Sequence, residues 1–272
     1  MSEGAPAIET GSLATGQPFA RIGSGPRTVV YLPGLSFTHV PEPPRSIART
    51  WKRWLGPIDR HGLTILSIGR RPDLPMGSTT ADVADDYAAV IRAEVGHPVG
   101  VMGISTGGGY AMWLAIRHPD LVDRLVLGFT GHRIPDDVRR RQRAAVEDFQ
   151  AGRWRSGAAR MGPWAWPAHA RLASAGLWLV GPMVMGRPDD LRVLAIDADA
   201  DETHDASGRL GDVRCPTLVV SGGRDTAYPP DLVREMVAAI PGARHIEYPK
   251  AGHMGPGARL ADDACAFLAD PA

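Results

Sequence analysis

The chain has 272 residues, 44% of them hydrophobic, and its 30 lysine and arginine residues balance 30 acidic ones. A chain of this kind can bury a substantial core, and its neutrality argues against nucleic acid or an anionic membrane as the main partner. The opening MSEGAPAIETG has no basic start and no apolar stretch, and no uninterrupted apolar run approaches the length of a membrane span, so a soluble cytoplasmic protein is expected.

Short β-rich segments alternate with helical patterns, the signature of a mainly parallel sheet flanked by helices. RTVVYLPG reads as a buried strand ending at Gly34, and LTILSIG as a second ending at Gly69. TTADVADDYAAVIRAEVG has a threonine cap, early acidic residues and Val83, Tyr87, Val90 and Ile91 at helical spacing, so it predicts a helix ending near Gly96. The strand PVGVMG, a tight turn at Ser105, a helix to about His118 and the strand DRLVLGFT follow. From Gly131 to about Ser207 the chain turns rich in arginine, tryptophan, proline and glycine, with helical periodicity and no clear strand. The alternation resumes with CPTLVVSGG, the helix PPDLVREMVAAIPG, the strand RHIEYPKAGH and a closing helix ARLADDACAFLAD. Residues 1–130 and 208–272 thus read as a core and 131–207 as an inserted helical cap.

Chemistry concentrates at Gly103-Ile104-Ser105-Thr106-Gly107. A phosphate-cradling loop needs lysine where Gly109 stands, and a dinucleotide fingerprint starting at Gly107 needs glycine where Met112 stands. The remaining pattern is G-x-S-x-G between a strand and a helix, where glycines let a serine sit on a strained turn with its hydroxyl lifted clear. Ser105 is then a candidate nucleophile, and the backbone N–H of Thr106 points where negative charge would develop on an attacked carbonyl.

A serine hydroxyl needs a base and a carboxylate to orient that base. Two loops that run off later strands supply them: SGGRDTAYPP carries Asp225 and YPKAGHMG carries His253, in the order Ser, Asp, His. Asp136 or Asp137 is the alternative acid. The loop after VVYLPG places the N–H of Leu35 as a second oxyanion donor. The other histidines (His39, His61, His97, His118, His132, His169, His204 and His245) read as surface or hydrogen-bonded core residues. RRRQR, Arg139 to Arg143, reads as a solvated helix face. The acidic run Asp197, Asp199, Asp201, Glu202, Asp205 lacks the glycine and the closing glutamate of a calcium loop. Cys215 and Cys265 make no metal-ligand spacing and no disulfide framework and read as small core residues, and no metal or cofactor is expected.

These motifs resemble the α/β-hydrolase fold superfamily, of the capped esterase, proline iminopeptidase and lactonase type, over nearly the whole chain. GISTGG looks like the nucleophile elbow, CPTLVVSGGRD is similar to the acid-bearing strand and turn, and YPKAGHMG to the histidine loop. The resemblance implies Ser105, Asp225 and His253 as catalytic residues with Leu35 and Thr106 as oxyanion donors. Pro33-Gly34 stands where the family usually has His-Gly, and GRRPDLPMGS replaces the common D-x-R-G-x-G-x-S. The expected activity is hydrolysis of a carboxylic ester or lactone of a small apolar molecule. The alternatives are an aminopeptidase, a carbon–carbon bond hydrolase, or a sensor that binds without turnover. Trp154, Trp164, Trp166 and Trp178, with Met183 and Met185 and with Met254 beside His253, are the candidates to line the substrate pocket.

Overall fold

The computed structural model describes residues 7–37, 39–184, 190–255 and 258–270. Its order of elements is β1 (Ile8–Ser12), β2 (Pro18–Ile22), β3 (Arg27–Leu32), α1 (Pro44–Thr50), α2 (Leu55–Arg60), β4 (Leu63–Ile68), α3 (Thr80–Glu94), β5 (Val99–Ile104), α4 (Thr106–Arg117) and β6 (Val122–Gly128). Then come α5 (Asp136–Gln150), α6 (Trp154–Arg160), α7 (Gly162–Ala165), α8 (Ala170–Val184), α9 (Arg192–Glu202), β7 (Thr217–Gly222), α10 (Pro230–Ala239), β8 (Arg244–Tyr248) and α11 (Ala258–Ala269).

The strands form one eight-stranded sheet in the order β1-β2-β4-β3-β5-β6-β7-β8. All pairings from β4 to β8 are parallel, and β1 and β2 add an antiparallel edge. The parallel strands are short apolar runs because both faces are covered, and β7 is buried at every position. Core side chains of α3, α4 and α10 pack one face, and those of α1, α2 and α11 pack the other. Chain order reverses direction across the sheet at β3, so the crevice at the carboxyl ends of β3, β5, β6 and β7 is where such a fold gathers its functional loops.

The edge hairpin β1–β2 is an addition to the strands expected from the sequence. Its strands are five residues long, Gly11 and Pro18 interrupt the β signal, and half-exposed positions blur the alternation. Pro18 is tolerated as the first residue of its strand. The threonine cap of α3 is Thr79, whose side chain accepts the Asp82 N–H while Asp82 accepts the Thr79 N–H, closing a capping box. Cys265 is fully buried, whereas Cys215 falls before β7 and is half-buried against the core.

Between β6 and β7 the described chain is helical, α5 to α9, with one isolated bridge from Arg133 to Asp205. α5 and α6 have their own apolar nucleus of Ala145, Val146, Phe149 and Ala158, which Leu194 and Ala198 of α9 join. Asp148, at its edge, is held between the half-exposed Arg153 and Arg160 at 2.7 Å each. Those guanidiniums hold its carboxyl below the usual carboxylate range. The arginine run of α5 is an outer face: Arg139, Arg141 and Arg143 pair with Asp136, Asp137 and Glu202. Gln142 alone turns inward. Among the described residues, no helix is long and apolar enough to cross a membrane.

Candidate active site

Ser105 stands between β5 and α4 with φ 55° and ψ −126°, a left-handed conformation that costs a non-glycine residue energy. Its neighbours explain how the turn closes. A side chain at Gly107 would place its Cβ 2.1 Å from the carbonyl oxygen of Leu32, and one at Gly103 would place it 2.3 Å from that of Gly107. The two glycines let β5, α4 and β3 meet, and Ser105 is the residue left projecting.

The two loops after β7 and β8 bring their side chains to it. Ser105 Oγ lies 3.0 Å from His253 Nε2, and His253 Nδ1 lies 3.0 Å from Asp225 Oδ2. Asp225 is held independently of the histidine, because its Oδ1 accepts the N–H groups of Ala227 at 2.7 Å and Tyr228 at 3.0 Å. With Nδ1 carrying its proton toward Asp225, Nε2 is left as an acceptor for the serine hydroxyl. The alternative acids Asp136 and Asp137 are elsewhere, exposed in the first turn of α5 and paired to its arginines.

Thr106 opens α4, where a first-turn N–H has no acceptor within its helix. Gly34 approaches from the other side, so close that an added Cβ would sit 3.3 Å from the Cβ of Ser105. Leu35 follows it, and Gly34, Leu35, Ser105 and Thr106 line one cavity together with His253.

That cavity has a volume of about 420 Å³. Ile104, Val138, Met161, Trp164, Leu177 and Met254 give it apolar walls, and Gln142 and Tyr228 add polar groups. Of the expected lining residues, Trp164 and Met254 are there. Trp166 and Trp178 are not. Trp166 follows the end of α7 and is 57% exposed, while Trp178 faces outward from α8 and stacks under the Arg155 guanidinium at 4.6 Å. Their places are taken by Met161 and Leu177, the latter one residue and so about 100° around the helix from Trp178. Trp154 packs on Phe149 within the helical segment, Met183 is 85% exposed, and Met185 lies outside the described residues.

Several groups near the site carried no sequence signal. The Tyr228 ring lies 5.7 Å from that of His253, and burial pushes its hydroxyl well above the usual tyrosine range, followed by the charges of Asp201 and Asp225. Gln142 Nε2 and Thr106 Oγ1 both donate to Asp201 Oδ2, each at 2.7 Å. Burial pushes the Asp201 carboxyl up to about 7. Arg70, fully buried, donates from Nε to Asp197 at 2.8 Å and from Nη2 to the Gly34 carbonyl at 3.0 Å. Burial works against both charges of that pair, and each partner stabilises the other. The acidic run expected not to hold calcium lies mainly on α9.

A family model described as the alpha/beta hydrolase family matches residues 29–269. The chain belongs to that family. This α/β hydrolase is 28% identical over 191 residues to a Mycobacterium tuberculosis protein, BpoC, provisionally named a non-heme bromoperoxidase, covering 66% of this chain and 70% of that one. It is 28% identical over 179 residues to a pimeloyl-[acyl-carrier protein] methyl ester esterase of Neisseria meningitidis, covering 61% of this chain and 66% of the relative. Among solved structures, the enol-lactonase of Burkholderia xenovorans superimposes with a TM-score of 0.71 at 18% identity over 97% of this chain and 96% of that one, a likeness of fold.

Proposed function

We propose that this α/β hydrolase cleaves a carboxylic ester of a small, neutral, apolar molecule through a Ser105–His253–Asp225 triad, under a helical cap formed by residues 131–207. The observation that carries this reading is the chain of two 3.0 Å contacts from Ser105 through His253 to Asp225, opening onto a cavity walled by apolar side chains. His253 Nε2 takes the Ser105 proton as Oγ attacks the ester carbon. The oxyanion is met by the N–H groups of Leu35 and Thr106, and the imidazolium then protonates the departing alkoxide. Water, deprotonated by the same imidazole, adds to the acyl-enzyme, and its collapse releases the acid and returns the proton to Ser105.

The cavity walls favour this substrate class over its rivals. Among the described lining residues there is no Asp or Glu to receive the ammonium group of an aminopeptidase substrate, and no Arg or Lys to receive a second carboxylate. Among the described lining residues, polar recognition falls to Gln142, Tyr228, the Trp164 indole N–H and the catalytic groups themselves.

The test is mass spectrometry after fluorophosphonate treatment, beside turnover of p-nitrophenyl esters of two to ten carbons. The expected result is an adduct on Ser105 and ester turnover, both lost in Ser105→Ala. Folded protein that binds esters with no adduct and no turnover would make it a sensor.

A further inference from the structure

The helix α9 is buried on almost every side, and two of its hidden residues are carboxyl groups, Asp197 at 0% and Asp201 at 4% exposure. They are four residues apart and so lie on one face of the helix, one turn from each other. Buried carboxyl groups require donors. Theirs come from the two walls that flank Ser105.

On one wall, Asp197 Oδ2 accepts the N–H of Ser36 at 2.9 Å, and its Oδ1 accepts Arg70 Nε and the Tyr110 hydroxyl at 2.8 Å each. Arg70 in turn donates to the carbonyl of Gly34. The segment Gly34-Leu35-Ser36 is thereby gripped at both ends. The grip also sets direction, because the Gly34 C=O and the Leu35 N–H belong to the same trans peptide plane and point opposite ways. Drawing the carbonyl onto Arg70 turns the Leu35 N–H away from the buried guanidinium. On the other wall, Asp201 holds the hydroxyl of Thr106, the residue whose N–H opens α4, and the amide of Gln142, which lines the cavity.

Resting on the serine-hydrolase reading, we infer that α9 is the positioning element of the oxyanion hole: Asp197, acting through Arg70 and Ser36, and Asp201, acting through Thr106, fix its two N–H donors from one helix. A buried Arg–Asp pair stabilises a fold no better than packed apolar side chains, so fastening α9 to the core does not by itself call for these groups. Fixed dipoles aimed at a developing oxyanion do call for them, because catalysis there depends on donors that need no reorganisation. Asp197 and Asp201 touch neither substrate nor reacting atoms. The consequence is that the seating of α9 and the catalytic power of Ser105 rise and fall together.

The experiment compares Asp197→Asn and Thr106→Val with wild type in ester turnover and in binding of an alkyl trifluoromethyl ketone. Ser105 adds to the ketone carbon, and its proton passes to His253, leaving a hemiketal oxyanion in the hole. Thr106→Val removes the hydroxyl held by Asp201 while keeping the backbone N–H and creating no unmatched buried cation, so it tests the idea even where Asp197→Asn folds poorly. In each variant kcat is expected to fall on the order of 10- to 100-fold, with KM within about twofold and ketone affinity falling by about the same factor as kcat/KM. Asp123→Asn, which breaks the half-buried pair with Arg27 at the starts of β3 and β6, the opposite end of these strands from Ser105, is the structural control: it lowers the melting temperature and leaves kcat and ketone affinity in place. Unmoved kcat and ketone affinity in both variants, or equal losses in Asp123→Asn, would overturn the inference. Ser105→Ala separates this from the parent reading, since turnover surviving that change overturns the hydrolase assignment, whereas Ser105-dependent turnover with unmoved variants overturns the role of α9 alone.

Discussion

Asp225 divides its two carboxylate oxygens between the imidazole of His253, 3.0 Å away, and the backbone N–H groups of Ala227 and Tyr228 in its own loop. The loop therefore holds the acid whether or not the histidine is present. Asp225→Asn keeps an oxygen for the loop but offers His253 an amide in place of the charge that fixes its tautomer. The expected outcome is a loss of about 10³- to 10⁴-fold in kcat with the melting temperature nearly unchanged, measured by ester turnover and thermal unfolding.

The elbow makes a steric prediction. Gly107→Ala drives a Cβ to within 2.1 Å of the Leu32 carbonyl oxygen and 2.6 Å of that of Pro33, both backbone atoms of β3 and the loop after it. Nothing flexible can yield, so a destabilisation of about 1–3 kcal/mol or more is expected in denaturant unfolding, with activity lost. The same substitution at Gly176, in α8, meets nothing within 4 Å of the added Cβ and is expected to stabilise by about 0.5–1 kcal/mol.

Much of this was legible in the chain itself, and the reasons are specific. The strands β3 to β7 are mainly apolar runs closed by glycine or turn residues, Ser105 and Asp225 stand just after β5 and β7, and His253 stands in the glycine-bracketed loop after the more polar β8. Local sequence carries that kind of information. It does not carry helix rotation in a segment whose partners are unknown: Trp178 and Leu177 are equally apolar neighbours, and only the docking of α8 decides that Leu177 meets the cavity. Nor does it disclose that Asp197 and Asp201, in a run read only as no calcium loop, face inward toward Arg70 and Thr106, over ninety positions earlier.

Asp201 gives a pH dependence. Its carboxyl is raised from 3.8 to about 7 in the folded protein, so folding favours the protonated form. That contribution to stability is complete below about pH 4 and is lost as pH rises through about 7. Asp201→Asn, which mimics the neutral acid, is expected to have a flatter melting-temperature profile over this range and its largest advantage over wild type at pH 8. Parallel profiles from pH 4 to 8 would show that Asp201 titrates normally.

The cavity wall predicts chain-length selectivity. Leu177→Trp intrudes on the space facing Ser105, and each methylene excluded from an apolar pocket costs roughly tenfold or more in kcat/KM. The ratio of octanoate to acetate ester turnover is expected to collapse in Leu177→Trp and to stay at the wild-type value in Trp178→Ala, whose ring lies outside the cavity.

The central claim is that Ser105 carries the acyl group between two half-reactions, and trapping that intermediate tests it most directly. Wild-type protein mixed with excess p-nitrophenyl butyrate, quenched in acid within the first turnover and digested, is expected to yield a peptide spanning Ser105 heavier by one butyryl group, with the adduct absent from Ser105→Ala. Turnover with an unmodified Ser105 peptide, or a butyryl group on another residue that survives Ser105→Ala, would contradict it.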